Sequence, residues 1–314
     1  MRLILNAHSN IAIPEEGTFW MPLIRSLKGG YEELIPKAQL ANYIKYIRNN
    51  DQFNAWFMGD CKILDELMRR DGIVLRDLME ALYLEYARIN NKTIWGDKTP
   101  SFFRKVDELH KIFPDARFIN ILRDGRDVYW SLKKRLSGRK NIAVAAIEWR
   151  YKVKKAEEAF SRLPPGRALN VRFEDILLNP QPKIKEICDF LGVQYEDGML
   201  EFYKSSHKFI GEHHSELIFK PISDSSAAKW KKKLSPSDNR LFEFIAYDCL
   251  KKHGYEIIND GKFNALDRIK AVAMLFIGLP RRAAQVFKTA LILKLCSMFG
   301  IRTSAAGGKA YFES

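Results

Sequence analysis

Short runs of consecutive apolar residues alternate along this chain with longer stretches in which apolar positions recur at helical spacing. Arg117 to Leu122 is one short run, closed by the turn-and-charge cluster Arg123 to Asp127, and a helical pattern follows from Val128. Ala168 to Phe173 is a second, followed by acidic residues and another helical stretch. Thr93 to Trp95 is a third, ending in Gly96, Asp97, Lys98, Thr99 and Pro100. Thr99 or Ser101 is placed to cap the helix beyond it. Strands separated by helices, too far apart for hairpins, predict parallel pairing with helices on the faces. Ligands of such sheets bind beyond the carboxyl ends of the strands. Three polar clusters fall at those ends, Gly96 to Thr99, Arg123 to Asp127 and Phe173 to Asp175, and they are expected to share one rim.

Long amphipathic helices are predicted between Tyr31 and Asn91, and a shorter helical connection from Asp189 to Tyr203. The polar, basic segment Ser223 to Lys233 reads as a loop. Past Lys262, the positions Leu266, Ile269, Val272, Ala273 and Phe276 recur at helical spacing, and a second helix is predicted from Arg281 to Phe299. Neither reads as a membrane span. Pro280, Arg281, Arg282, Lys288 and Lys294 interrupt every apolar stretch well short of the roughly 18 residues a span needs.

Composition narrows the function classes. A 314-residue chain that is 46% hydrophobic can bury a sizeable core, which excludes wholesale disorder. Lys and Arg outnumber Asp and Glu by 52 to 38, a net charge of +14 that favours an anionic partner. From Lys262 to Ser314 nine basic residues stand against two acidic ones, a net of +7. The remainder is only mildly basic, which argues against general nucleic-acid binding. Cys61, Cys188, Cys249 and Cys296 lie far apart with no CxxC pair, as expected for reduced thiols of a cytoplasmic protein rather than zinc ligands or a disulfide framework. No signal-peptide pattern precedes the polar stretch Asn6 to Asn10.

The segment Leu122 to Ser131 is the most informative. A buried strand ends, Arg123 follows at once, and a helix begins a few residues later. A helix N-terminus with free N–H groups suits a phosphate, Arg123 adds a bidentate cation and Ser131 a neutral donor. On the residues alone the alternative is that Arg123 and Arg126 pair with Asp124 and Asp127 on a solvated face. His213 and His214 are adjacent, so their side chains point apart, which favours a loop or surface role over a metal site. The sequence contains no His/Cys/carboxylate cluster with clear ligand spacing, so no metal is expected.

Arg123 and Ser131, eight residues apart, resemble the 3′-phosphate-binding motif of the PAPS-dependent sulfotransferases. Three further segments agree in order and spacing. Trp95 to Pro100 resembles the family's Lys-Thr-Pro element. Val171 to Asp175 is similar to its strand end, with Phe173 in place of the usual tyrosine. Phe190 to Gly192 followed by Lys229 and Trp230 looks like its later markers. The resemblance covers about residues 1–256 and is closest to the bacterial and tyrosylprotein branch. It implies an α/β fold with a P-loop-like parallel sheet flanked by helices. The expected organisation is a sulfotransferase domain over 1–260 and a basic amphipathic helical tail over 261–314.

Met1 to Glu16 resembles the helix and second strand that follow the family's first phosphate loop. The resemblance therefore implies that the 5′-phosphosulfate loop and the strand before it lie ahead of Met1, the domain being N-terminally truncated. The sequence holds no GxxxxGK[ST] in its stead. By position, Glu16 matches the family's general base and Lys98 the lysine near the bridging oxygen of the donor. Without the resemblance, Glu15 and Glu16 would read as an acidic loop or helix cap, and Lys98 as a surface lysine paired with Asp97. Lys220 and Lys229 are candidates to cover the 3′-phosphate, and Phe173 to contact adenine; a solvated charge run and a core aromatic are the plainer readings of these.

The implied activity is sulfonate transfer from PAPS to a hydroxyl acceptor, leaving PAP. The implied acceptor is a glycan, lipid, peptide or small molecule, with no nucleic acid and no metal involved. The basic tail suits a peripheral membrane contact as well as plain docking on the domain. Two other functions remain open on the residues, a P-loop kinase and a non-catalytic anion- or nucleotide-binding protein.

Overall fold

The computed structural model describes residues 1–28, 30–57, 61–135, 141–205 and 216–298. The chain divides into two compact units, each assembled from discontinuous stretches. The first comprises Met1–Phe118, Arg162–Leu169 and Pro180–Ile222; the second comprises Ile119–Ser161, Asn170–Asn179 and Ser223–Ser314.

The first unit opens with helix α1 (Arg2–Asn6) and strand β1 (Ile11–Ala12), the helix-then-strand order expected for this stretch. The buried Asn6 amide joins the two: its Nδ2 donates to Ile13 O at 2.7 Å and its Oδ1 accepts from Ile13 N at 2.8 Å. Helices α2 (Trp20–Ser26), α3 (Lys37–Arg48), α4 (Asp51–Phe57), α5 (Ile63–Arg69) and α6 (Leu75–Ile89) follow, then strand β2 (Ile94–Trp95), a 3₁₀ turn (Pro100–Arg104) and α7 (Val106–Ile112). In α6 the apolar positions 75, 78, 79, 82, 83, 86 and 87 form one continuous stripe, and all are buried. Only α3 and α6 in this region are long; α4 and α5 are single pieces of two turns. β1 pairs in parallel with β2, Ile11 opposite Ile94 and Ala12 opposite Trp95, and Tyr83 of α6 stacks on Trp95 at 4.6 Å.

Strand β3 (Phe118–Leu122), helix α8 (Gly125–Arg135), the long α9 (Ile142–Ser161), β4 (Ala168–Arg172), α10 (Phe173–Leu178) and α11 (Pro180–Leu191) come next. β3 and β4 pair as a second two-stranded sheet. Phe118 N donates to Arg167 O, and two residues further on Asn120 donates to the Asn170 side chain, so the strands advance together and are parallel. The helical connection expected from Asp189 to Tyr203 is instead two elements. α11 stops where Gly192 adopts φ +71°, and a 3₁₀ segment (Asp197–Lys204) follows. A positive φ at glycine is a common way to end a helix.

The second unit is completed by α12 (Trp230–Lys233), α13 (Pro236–Lys252) and α14 (Ala265–Met298). The segment read as a loop thus contains a short 3₁₀ turn (Asp224–Ser226) and the helix α12, because Trp230 is apolar enough to bury and anchor it. The two tail helices expected are one, with Pro280 inside it. The unit's core gathers Leu122, Tyr129, Trp149, Phe242 and Leu250 between α8, α9 and α13, with Met274 and Leu275 of α14 packed against it. Among the described residues no helix is long and apolar enough to cross a membrane.

Two residues at the start of α8 set how tightly this unit closes. A Cβ at Gly125 would come within 2.5 Å of both Phe242 and Trp149, so only glycine lets α8 approach them. The next residue, Arg126, is fully buried among acceptors. Its Nε and Nη2 donate to the Asp124 carboxylate at 3.0 and 2.7 Å, and its Nη1 donates to Glu243 at 2.9 Å and Asn239 at 3.2 Å. Nη2 donates also to Glu256 O at 2.8 Å. Arg126→Met leaves Asp124 and Glu243 as buried charges without their cation and is expected to lower stability by about 3–5 kcal/mol. Arg126→Lys recovers only part of that, since an ammonium cannot present the planar fork. Urea unfolding of the three proteins measures both effects, and a loss under about 1 kcal/mol for the methionine variant would contradict this role.

Candidate functional site

In the first unit the candidate catalytic pair meets. Lys98, just past β2, donates from Nζ to Glu16 Oε1 at 2.6 Å across 82 residues of sequence, and both side chains are close to half exposed. An ion pair that open to water contributes little to stability. Neither partner is locked in place by it.

The backbone beneath the pair is held much more firmly. Thr99 Oγ1 accepts from Gly17 N at 2.8 Å and donates to Asp97 Oδ2 at 3.1 Å, and Tyr83 OH donates to the same carboxylate oxygen at 2.7 Å. Thr99 makes no side-chain cap to the following turn, contrary to the expectation, because its hydroxyl is spent on tying the Glu16–Gly17 loop to the end of β2. Burial pushes the Asp97 carboxyl from its ordinary 3.8 up to about 6, and burial together with the Asp97 charge raises the Tyr83 hydroxyl well above its usual range. Lys220, expected near the donor phosphate, is an exposed residue of the same unit, next to the 3₁₀ turn Glu216–Phe219.

The second unit holds the other candidates. Arg123 follows β3 and is half-buried, its guanidinium lying 4.9 Å from the ring centroid of Phe173, the first residue of α10 after β4. Phe173, itself half-buried, therefore backs the arginine. The Arg123 carbonyl accepts from Trp149 Nε1 at 2.9 Å. The ends of β3 and β4 are tied together by Glu174 Oε1, which accepts from Asp124 N at 2.9 Å. Of the three clusters expected on one rim, these two lie at the ends of the β3–β4 pair, and Gly96 to Thr99 follows β2 of the other pair. Ser131 is exposed on α8.

Helix α12 lies against α8. Trp230 N donates to Asp127 Oδ1 at 2.8 Å, and its ring covers the Arg126 guanidinium at 3.5 Å. Lys229, half-buried and immediately before Trp230, is thereby carried to the first turns of α8. The N–H groups expected to be free there are in part occupied, since Arg126 N donates to Asp124 Oδ1 at 2.9 Å and Val128 N to Asp124 O. Part of the donor capacity of this helix end is thus already used. Arg126 is neither solvated nor paired with Asp127, which corrects the alternative of a surface charge cluster.

Tyr83, Asp97, Thr99, Asp124, Glu174 and Trp230 shape these two sites; the sequence placed all but Tyr83 within motifs or strand-end clusters without assigning them these contacts. Asp97 and Thr99 flank Lys98 and had a local signal; Tyr83 was indistinguishable from the other core positions of α6. His213 and His214 lie outside the described residues. Among the described residues no group of three His, Cys, Asp or Glu is placed to hold a metal ion, and Cys61, Cys188 and Cys249 are free thiols.

Asp97 makes the first unit's stability depend on pH in a definite direction. A folded-state pKa raised above the unfolded value means that the folded protein takes up the proton first. The group therefore favours folding below about pH 4 and loses that contribution as pH rises through 6. Asp97→Asn keeps an acceptor for Tyr83 and Thr99 but does not titrate. The stability of the variant relative to the unsubstituted protein is expected to rise from pH 4 to pH 7 in chemical unfolding. A difference constant across that range would show that Asp97 is not desolvated.

Known proteins similar to this chain share its fold and its family. Two solved structures share the fold: a sulfotransferase domain from the curacin biosynthetic pathway (TM-score 0.52, 18% identity, 82% of this chain and 93% of that one) and one from a Synechococcus PCC 7002 olefin synthase (TM-score 0.50, 17% identity, 80% and 98%). Protein-tyrosine sulfotransferase 1 of Danio rerio is 25% identical over 175 residues, 51% of this chain and 48% of the relative. The protein-tyrosine sulfotransferase of Drosophila melanogaster is 23% identical over 145 residues, 43% and 29%. Carbohydrate sulfotransferase 1 of Danio rerio is 28% identical over 96 residues, 30% and 23%. The chain thus spans less than half the length of each of these curated relatives. The model of the Sulfotransferase family matches residues 1–197, which takes in β1 to β4, both members of the Lys98–Glu16 pair and the Arg123 cluster, and the chain belongs to that family.

Proposed function

We propose that the chain is a PAPS-dependent sulfotransferase that moves a sulfonate group onto a hydroxyl by in-line displacement. The observation that carries the reading is the contact of Lys98 with Glu16, a cation and a carboxylate brought together by the fold from distant parts of the sequence. PAPS supplies a sulfur whose bond to the bridging phosphate oxygen breaks as its bond to the acceptor oxygen forms. Glu16 takes the proton leaving the acceptor hydroxyl. Lys98 offsets the negative charge that develops on the bridging oxygen. Because their ion pair is exposed, each is released to its own task at little cost.

Arg123, with Ser131 and Lys229 on neighbouring elements, is the cationic group suited to the donor's 3′-phosphate. Phe173 holds the Arg123 guanidinium from one side and offers an apolar ring to the adenine. The names of the similar proteins point to a tyrosine or carbohydrate hydroxyl as acceptor. The chemistry requires no metal.

Calorimetric titration with PAP tests the donor assignment. Binding at micromolar strength is expected, weakened roughly 10- to 100-fold in Arg123→Ala, the usual worth of a hydrogen bond to a charged group. Glu16→Gln is expected to retain PAP binding while lowering transfer from labelled PAPS to tyrosine-peptide or sugar acceptors by about 10²–10⁴. Folded protein that does not bind PAP, or an Arg123→Ala variant that binds it unchanged, would overturn the reading.

A further inference from the structure

Helix α14 has apolar residues on two opposite faces, and packing within its unit uses only one of them. The docked face runs through Asp267, Ala271, Met274, Leu275, Gly278 and Arg282. Ala271 is buried, and Met274 and Leu275 lie against the core of α9 and α13. Asn141 donates to Met274 O at 2.6 Å. A Cβ at Gly278 would come within 2.5 Å of Asn141 and Val144, so the helix is pressed close there. Ion pairs close both ends of the face, Asp267 with Arg240 at 2.7 Å and Arg282 with Glu148 at 2.9 Å.

The other face carries the apolar stripe legible in the sequence, and it points outward. Leu266, Ile269 and Val272 are 55%, 64% and 61% exposed, Phe276 is 82% exposed, and Leu279 is 47% exposed. At 3.6 residues per turn these five fall on one side, diametrically across from the docked residues, and extend about 20 Å along the helix. The hydrophobic periodicity thus marks the side that the fold leaves uncovered. A continuous exposed apolar surface of this kind is where a partner binds.

The charges beside the stripe say which partner. Arg268 borders it on one side, and Lys270 and Arg281 on the other, and all three are exposed. The acidic residue of this helix stretch, Asp267, is on the docked side and paired with Arg240. From Lys262 to Ser314 the sequence sets nine basic residues against two acidic ones. A second copy of the chain would bring the same cations face to face. An apolar stripe edged by cations fits an anionic lipid surface, with the apolar side chains among the acyl chains and the cations at the headgroups. We infer that α14 docks this protein on anionic membrane surfaces through Leu266, Ile269, Val272, Phe276 and Leu279, lying in the plane of the interface. The inference rests on the helix alone and stands or falls independently of the proposed reaction.

Sedimentation of the full chain with vesicles tests it, using phosphatidylglycerol and phosphatidylcholine in equal parts against phosphatidylcholine alone. Binding to the anionic vesicles is expected, falling with salt, with much weaker binding to the neutral ones. Phe276→Asp should abolish it, and Arg268→Glu with Lys270→Glu should weaken it by at least about tenfold. The substituted side chains are exposed, so thermal unfolding should be unchanged and separates lost docking from lost fold. In Phe276→Trp the emission should shift to the blue on anionic vesicles only, placing this position in the acyl region. Three results would each overturn the inference: no binding to anionic vesicles, binding unaffected by Phe276→Asp, or a dimer in sedimentation equilibrium that Phe276→Asp dissolves without any vesicle binding. The last would assign the stripe to a second copy.

Discussion

A guanidinium stays charged at any physiological pH, so a buried arginine obliges its surroundings to provide acceptors for all five of its N–H donors. Arg126 meets that demand with the Asp124 carboxylate from the end of β3, Asn239 and Glu243 from α13, and the Glu256 carbonyl beyond it. Each acceptor is then committed elsewhere. Asp124 caps the start of α8, and Glu243 also accepts from the backbone of Ile258 and Asn259. Trp230 closes the last side and brings α12 with it. Arg123, three residues earlier, is only half-buried, and it is Arg126 that ties β3, α8 and α13 together. Similar arginines with opposite fates are separated by a single turn of chain.

The first unit shows the same division between fixed scaffold and free chemistry. The buried set of Tyr83, Asp97 and Thr99 fixes the Glu16–Gly17 loop against the end of β2. Above it, the Glu16–Lys98 pair sits in water and is weakly held. Burying the Asp97 carboxylate costs stability, visible in its raised pKa, and the hydrogen bonds from Tyr83 and Thr99 offset part of that cost. In return, two residues 82 positions apart in sequence are held within reach of each other.

Much of this was legible beforehand where the signal was local. The runs ending at Trp95, Leu122 and Phe173 became β2, β3 and β4, because a short apolar run bounded by glycine and charge has few other ways to bury itself. Parallel pairing followed from the spacing. The fold class followed from the alternation of these runs with helical stretches, and the family from the segments Trp95 to Pro100, Arg123 to Ser131 and Val171 to Asp175 standing in order. The failures share a cause as well. The segment from Ser223 to Lys233 looked like a loop because its one anchor, Trp230, needed a guanidinium more than a hundred residues away to pack on. Thr99 looked like a helix cap because Gly17, its true partner, is remote.

The sequence by itself determined which residues carry charge, where apolar runs begin and end, and that a strand-end arginine is followed by a helix. These are properties of neighbouring residues, and steric and hydrophobic rules act on neighbours. Tertiary structure alone decided that Arg126 is interior and Arg123 is not, that Glu16 meets Lys98, and which face of α14 is covered. Each depends on acceptors, rings or apolar surface delivered by segments far away in the chain. Burial is a property of the assembled fold, and the helical period of the tail is the same whether its stripe packs inward or, as here, faces out.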